Sequence, residues 1–243
     1  MINPASLSIS KADYDFFLNN RDTVLFDYAV QEEIIQNYLK SNPSNVSKNI
    51  VKKKIHLLNS FYHTRVPVNA MVQNILKIKN LDNRLKNGDY SLVEEIAQSE
   101  KDYFSFATKF CAMHNPDKFP IFDSFLNRIF AYLNEKGFFK GTFATQDKLK
   151  HFGQSSKSKS SFYADYVIIY DEFMKKSGIY SFAKNYREVD RVIWGAAVLR
   201  LRTLDKTAKS NRDISPILRK VFGDIFMGIA SNAIWELVSK VFM

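Results

Sequence analysis

The sequence predicts an all-α fold, and three observations carry that expectation. The chain is poor in breakers, with 8 Gly and 6 Pro among 243 residues, while helix formers such as Leu, Lys and Glu recur throughout. Apolar residues return at helical spacing in one window after another. No stretch alternates apolar and polar residues long enough to read as a strand. A hydrophobic content of 46% supports a core, and the length suits one large domain or two small lobes sharing a cleft.

Each element has its own signal. Asp22 caps a helix through about Lys40, with Leu25, Phe26, Ala29, Val30, Ile34, Tyr38 and Leu39 near helical spacing, and Asn42-Pro43 ends it. Ser47 opens the next, around Ile50, Val51, Ile55, Leu58 and Phe61, and Pro67 breaks the pattern. Asn69 starts a third, and short helices follow near 82–87 and 91–98. Tyr103 to His114 reads as a helix closed by Asn115-Pro116. Phe119-Pro120-Ile121-Phe122 is expected to be extended, because residues before proline avoid the helical region. Asp123-Ser124 then caps a helix carrying Phe125, Leu126, Ile129, Phe130 and Leu133, which Gly137 stops. Residues 153–161 form a serine- and lysine-rich loop, and strong helices are expected over about 162–176 and 187–203. The last 39 residues form a C-terminal helical extension, 205–243. Its apolar residues Ile225, Phe226, Ile229, Ile234, Leu237, Val238, Val241 and Phe242 suit either a helix pair packed on the domain or contact with a partner or membrane surface.

Charge and cysteine usage narrow the function classes. Lys and Arg outnumber Asp and Glu by 35 to 25, a net charge of +10. Such a surplus suits a polyanion, with nucleic acid first and an anionic membrane surface second. The lone cysteine, Cys111, rules out an intramolecular disulfide and a cysteine-based zinc or iron–sulfur site. His56, His63, His114 and His151 lack metal-ligand spacing, so neither metal nor cofactor is expected. No basic stretch followed by an apolar run opens the chain, and no apolar run reaches about 18 residues. The expectation is a cytoplasmic protein without a transmembrane segment.

Chemistry concentrates in one region. Ser105-Phe106-Ala107-Thr108-Lys109-Phe110-Cys111-Ala112 is followed by Phe119-Pro120-Ile121-Phe122-Asp123-Ser124-Phe125-Leu126-Asn127-Arg128-Ile129. Upstream lies Leu58-Asn59-Ser60-Phe61-Tyr62-His63-Thr64-Arg65-Val66, and downstream Arg187-Glu188-Val189-Asp190-Arg191-Val192-Ile193-Trp194. Over roughly residues 45–205 these segments resemble the helix-hairpin-helix DNA glycosylase superfamily, in particular small bacterial relatives of the 8-oxoguanine DNA glycosylase fold.

That resemblance implies two helical lobes flanking a cleft, a central lobe of about 48–134 and a second of 1–47 plus 135–204, with double-stranded DNA across the cleft. It puts Lys109 at the catalytic lysine and Asp123 at the catalytic aspartate. Ser105 and Ala107 stand where the family's hairpin has glycines that grip a phosphate, and Arg128 stands at the helix arginine. Asn59, Tyr62 and His63 occupy the base pocket or wedge. Beside the resemblance, Trp194 is a candidate contact of the flipped base, and Lys157 and Lys159 of the serine-rich loop are candidate contacts of the DNA backbone. The Lys109–Asp123 interval of 14 residues is shorter than the family's, and its four-cysteine cluster is absent. The chemistry suits the side chains. A carboxylate stabilises the sugar cation as a base departs, and an amine attacks the anomeric carbon to form a Schiff base. A wedge fills the stack when the base flips out. The activity implied is excision of a modified base, in base-excision repair or in defence against phage DNA. Two alternatives stand beside it: a catalytically silent DNA-binding module of the same fold, and an effector acting on a membrane or partner through its C-terminal tail.

Overall fold

Local chemistry explains the first helix, which the hydrophobic periodicity did not announce. In a computed structural model, residues 8–19, 28–98, 103–122, 126–127, 130, 133–134, 137–141 and 162–194 are described. Helix α1 (Lys11–Asn19) begins at a capping box. The Ser10 hydroxyl donates to the Asp13 carboxylate at 2.5 Å, while the Asp13 and Ser10 amides donate reciprocally to the Ser10 hydroxyl and the Asp13 carboxylate. This satisfies two amides that a helix start otherwise leaves open.

The remaining helices follow the expected order. They are α2 (Tyr28–Ser41), α3 (Lys48–Tyr62), α4 (Val68–Lys77), α5 (Leu81–Asn87), α6 (Ser91–Ala97), α7 (Phe104–His114) and α8 (Phe162–Lys176). Residues 186–194 are helical as well and are called α9 here; residues 126, 127, 130, 133 and 134 are also helical. The expected start of the second helix at Asp22 lies outside the described residues. Ser47 does precede α3, in an extended conformation and without a side-chain capping bond. Gly88 closes α5 at φ 75°, and a Cβ there would meet the Lys118 side chain at 3.0 Å. Both facts favour glycine. No described residue lies in a strand, and no described helix is long and apolar enough to cross a membrane.

Helix α7 is the centre of the packing. Phe104 and every residue from Phe106 to Met113 are buried, the pattern of a helix covered on all sides rather than along one stripe. Its neighbours are α6, α3, α2 and α5, and α8 packs in turn on α6. One buried apolar cluster runs from Ile9 and Tyr14 through α2–α8 to Val192 and Ile193 in α9. It therefore unites residues from both of the lobes that the sequence suggested. The extension at 205–243 lies outside the described residues.

The buried Lys54 ammonium is matched by polar partners. Lys54, 0% exposed, donates to the Asn45 side-chain oxygen at 2.8 Å and the Ser44 carbonyl at 3.2 Å, and faces His114 Nε2 at 3.1 Å. The Asp82 carboxylate accepts from the Asn45 amide and side chain. This knot ties the loop before α3 to α5 and to the end of α7.

Candidate active site around Lys109

Lys109 sits in the second turn of α7 and is only 7% exposed. A lysine in an otherwise apolar, fully surrounded helix needs a destination for its ammonium. One turn back, Ser105 supplies part of it, with Lys109 Nζ donating to the Ser105 hydroxyl at 2.5 Å. Tyr62, the last residue of α3, supplies a second part: Lys109 Nζ lies 5.3 Å from its ring centroid. The Arg187 guanidinium also lies over that ring, at 5.6 Å. Both distances fall in the cation–π range. The Tyr62 hydroxyl lies 3.6 Å from the Met113 sulfur.

Behind Tyr62 stands a buried ion network that joins α2 to α9. Arg187 Nε donates to Glu32 at 2.6 Å and its Nη1 to Asp190 at 2.5 Å; Arg191 Nε donates to Glu32 at 3.0 Å. Burial pushes the Glu32 carboxyl up, but the two guanidiniums outweigh it and hold the group below its ordinary range. Arg187, Asp190, Arg191 and Trp194 recur every three or four residues, so they share one side of α9. Glu32 and Arg187 were not singled out from the sequence. The one available signal was the run Arg187-Glu188-Val189-Asp190-Arg191, and the partner at position 32 is 155 residues away.

Two loop segments frame this centre. After α3, Asn59 binds its own turn: its side-chain nitrogen donates to the Val66 carbonyl at 2.9 Å, and its oxygen accepts from Thr64 at 2.6 Å and from the Val66 amide at 3.1 Å. The turn so held contains two non-glycine residues at positive φ, His63 at 52° and Arg65 at 57°, and both are exposed. Left-handed backbone at such residues persists only when the surroundings hold it there. The second segment is Phe119–Phe122, non-helical as expected. Thr108, next to Lys109, shares its hydroxyl proton between the Ser105 and Phe122 carbonyls, at 3.1 and 3.3 Å, and accepts from the Phe122 amide at 3.2 Å. Tyr163 and Tyr166 of α8 donate to the Pro120 and Ile121 carbonyls at 2.7 and 2.8 Å.

The expected hairpin is corrected by this geometry, and the other expected site residues take the following places. Ser105 and Ala107 do not form a hairpin: both lie inside α7, and the Ala107 amide donates to the Tyr103 carbonyl. Ala107 is fully buried, so neither its amide nor its side chain is presented to a phosphate, and Ser105 instead holds Lys109. Asn59 spends its amide on the turn rather than on a base. Tyr62 is half-buried, with its ring against Lys109 and Arg187, and forms a wall of the site instead of a protruding wedge. His63 is exposed. Trp194 is half-buried against the core. Asp123, Arg128, Lys157 and Lys159 lie outside the described residues. The Asn127 side-chain oxygen is buried and finds no hydrogen-bond partner among the described residues.

The comparisons with known proteins bear on the first half of this arrangement. Residues 14–118 match a family. Its model, HI_0787_N, is described as an N-terminal domain. The matched stretch holds Glu32, Lys54, Tyr62, Lys109 and His114, and stops short of Asp123 and Arg187. A Haemophilus influenzae protein (strain ATCC 51907 / DSM 11121 / KW20 / Rd), titled an uncharacterized protein, is 41% identical over 91 residues. The aligned stretch is 35% of this chain and spans 45% of the relative's length. No solved structure matches the chain.

Proposed function

We propose that this chain is a DNA glycosylase that flips and excises a modified base from double-stranded DNA, with Lys109 and Asp123 as its catalytic pair. The observation that carries the reading is the buried Lys109 amine against Tyr62 and Ser105, on a helix whose adjacent Thr108 holds the residue before Asp123. Amine chemistry at a sugar needs such a setting, shielded from bulk water and braced on all sides. As the glycosidic bond breaks, its electron pair leaves with the base. The Asp123 carboxylate balances the positive charge on the sugar. Lys109, once its ammonium proton has passed to water, forms the new bond to the anomeric carbon, and Asp123 accepts the proton that the bound nitrogen then sheds. In the hydrolytic variant, Asp123 takes that proton from water and Lys109 only binds. The exposed His63, on its pinned turn with Arg65, enters the stack that the base vacates. The duplex lies in a cleft between two lobes, the arrangement of the helix-hairpin-helix enzymes, beside Tyr62, whose far face is covered by the buried Arg187 of α9. The +10 charge holds the backbone of the duplex.

The test is incubation with duplexes carrying different modified bases, scored for abasic sites and, with borohydride, for a trapped covalent adduct. Asp123→Asn is expected to lower base removal by about 10²–10⁴-fold, and Lys109→Gln to abolish trapping while DNA binding persists. Base removal that survives Lys109→Gln without trapping assigns the hydrolytic route. DNA binding with no base released from any duplex identifies a silent binding module instead, and full activity in Asp123→Asn removes the site assignment.

A further inference from the structure

Residues 119–122 form a non-helical segment, buried from Phe119 to Ile121 and half-buried at Phe122, and such backbone cannot satisfy its own carbonyls as a helix does. The three peptides leading to Asp123 are nevertheless bonded in succession, each by a hydroxyl. Tyr163 takes the Pro120 carbonyl at 2.7 Å, Tyr166 takes the Ile121 carbonyl at 2.8 Å, and Thr108 takes both the amide and the carbonyl of Phe122. The hydroxyls come from two sides, α7 and α8. Tyr163 and Tyr166 are three residues apart on α8, on one face, so they reach consecutive carbonyls. Both rings are fully buried, and their aromatic contacts, such as Tyr166 with Phe122 at 5.1 Å, need no oxygen. Phenylalanine would fill the same space. The hydroxyls therefore serve the backbone of this segment.

We infer that Thr108, Tyr163 and Tyr166 are positioning residues for Asp123: together they hold Pro120, Ile121 and Phe122, the backbone that immediately precedes it. What Asp123 does in catalysis rests on the glycosylase reading above; how its approach is held rests on these hydrogen bonds alone. Transfer of charge or a proton tolerates little misplacement, and a shift of about 1 Å costs on the order of 10²-fold in rate. The hydroxyls are thus expected to act on the chemical step rather than on DNA affinity.

The experiment uses the full chain with Tyr163→Phe, Tyr166→Phe, the pair together, and Thr108→Val. Two readouts are taken. Hydrogen exchange at the Phe122 amide is expected to speed at least about tenfold in the paired tyrosine variant, with α3 and α4 unchanged. Single-turnover base removal is expected to fall about 10–100-fold, with affinity for an uncleavable duplex within about twofold of the parent. In an Asp123→Asn background the same changes are expected to cost nothing further. Unaltered exchange at Phe122 overturns the inference. So does faster exchange with an unchanged rate, or an equal loss of rate in the Asp123→Asn background. If the parent protein releases no base from any duplex, the glycosylase reading fails, and Phe122 exchange by itself then decides whether the three hydroxyls hold this segment.

Discussion

Lys54 belongs to a run of three lysines, and only its surroundings set it apart. Lys52 and Lys53 are exposed, as a charged run on a helix usually is, whereas Lys54 is buried with each direction of its ammonium answered. His114 is the third answer. Its Nδ1 lies 2.8 Å from the Phe110 carbonyl, which only accepts, so Nδ1 carries the proton and Nε2 offers its lone pair to Lys54. Burial brings the Lys54 amine down to about 8, against the pull of Asp82, so it stays mostly charged at neutral pH. Burial and then the Lys54 charge bring His114 down to about 4. The unfolded chain takes up that proton near pH 6.5 and the folded protein only near 4, so folding is disfavoured progressively as pH falls between those values. The slope is at most about 1.4 kcal/mol per pH unit for this group. Unfolding in urea across pH 4–7 measures it. Lys54→Met should raise the His114 titration midpoint seen by NMR, and should cost about 2–4 kcal/mol of stability by leaving Asn45 and Ser44 unpaired. A midpoint still near 4 would show that the lysine charge plays no part. Nothing in the sequence separates Lys54 from its two neighbours, because the acceptors lie in a loop and at the far end of another helix.

Helices were legible to different degrees, for reasons that differ between them. The elements from α3 to α8 could be read from periodicity and from Pro67 and Asn115-Pro116 as punctuation. The described ends depart by a residue at α4, where Val68 rather than Asn69 begins the helix. Helix α1 was missed because its nine residues are too few to show a helical period, although Ser10-Lys11-Ala12-Asp13 spells a capping box. The helix α7 was anticipated as a helix and, through the family resemblance, as a hairpin with a phosphate grip. Its aromatic and small residues fit a continuous buried helix, and the helix prevails. The link between α2 and α9 was not legible at all, since its charges are far apart in sequence. Its weight can be measured: Glu32→Gln leaves two guanidiniums without their shared carboxylate in a buried site, for an expected loss of about 3–5 kcal/mol. A combined Glu32→Leu, Arg187→Met, Arg191→Leu variant should recover much of that loss. Denaturant midpoints for the variants check both statements. A cost under about 1 kcal/mol for Glu32→Gln would mean that water, not protein, supports these charges.

For the whole molecule, the proposed DNA binding makes net charge the property to test. With +10 overall, DNA affinity is expected to fall linearly in log–log form as salt rises, with a slope of several units. Replacing Lys157 and Lys159 together by Ala should reduce that slope by about one to two. Fluorescence anisotropy across a salt series reads both, and a flat response would exclude an electrostatic mode of binding. The composition made this property visible, because net charge needs no folded structure. The candidate site was visible only in pieces. Lys109, Tyr62 and the Phe119–Phe122 segment were named from local motifs, and folding places the first two in contact. Glu32, Arg187 and the tyrosine hydroxyls of α8 join them only through tertiary packing.

Cys111 lies two residues beyond Lys109 on the same helix, fully buried, and it is the only thiol in the chain. Burial pushes its thiol well above the ordinary range, so the native protein offers a thiol reagent neither access nor thiolate. Modification therefore has to wait for α7 to come apart from its neighbours, and the labelling rate becomes a clock for that opening. Because the clock sits inside the proposed site, a duplex that engages Lys109 should slow it, while one held only by surface charge should leave it running at its own pace.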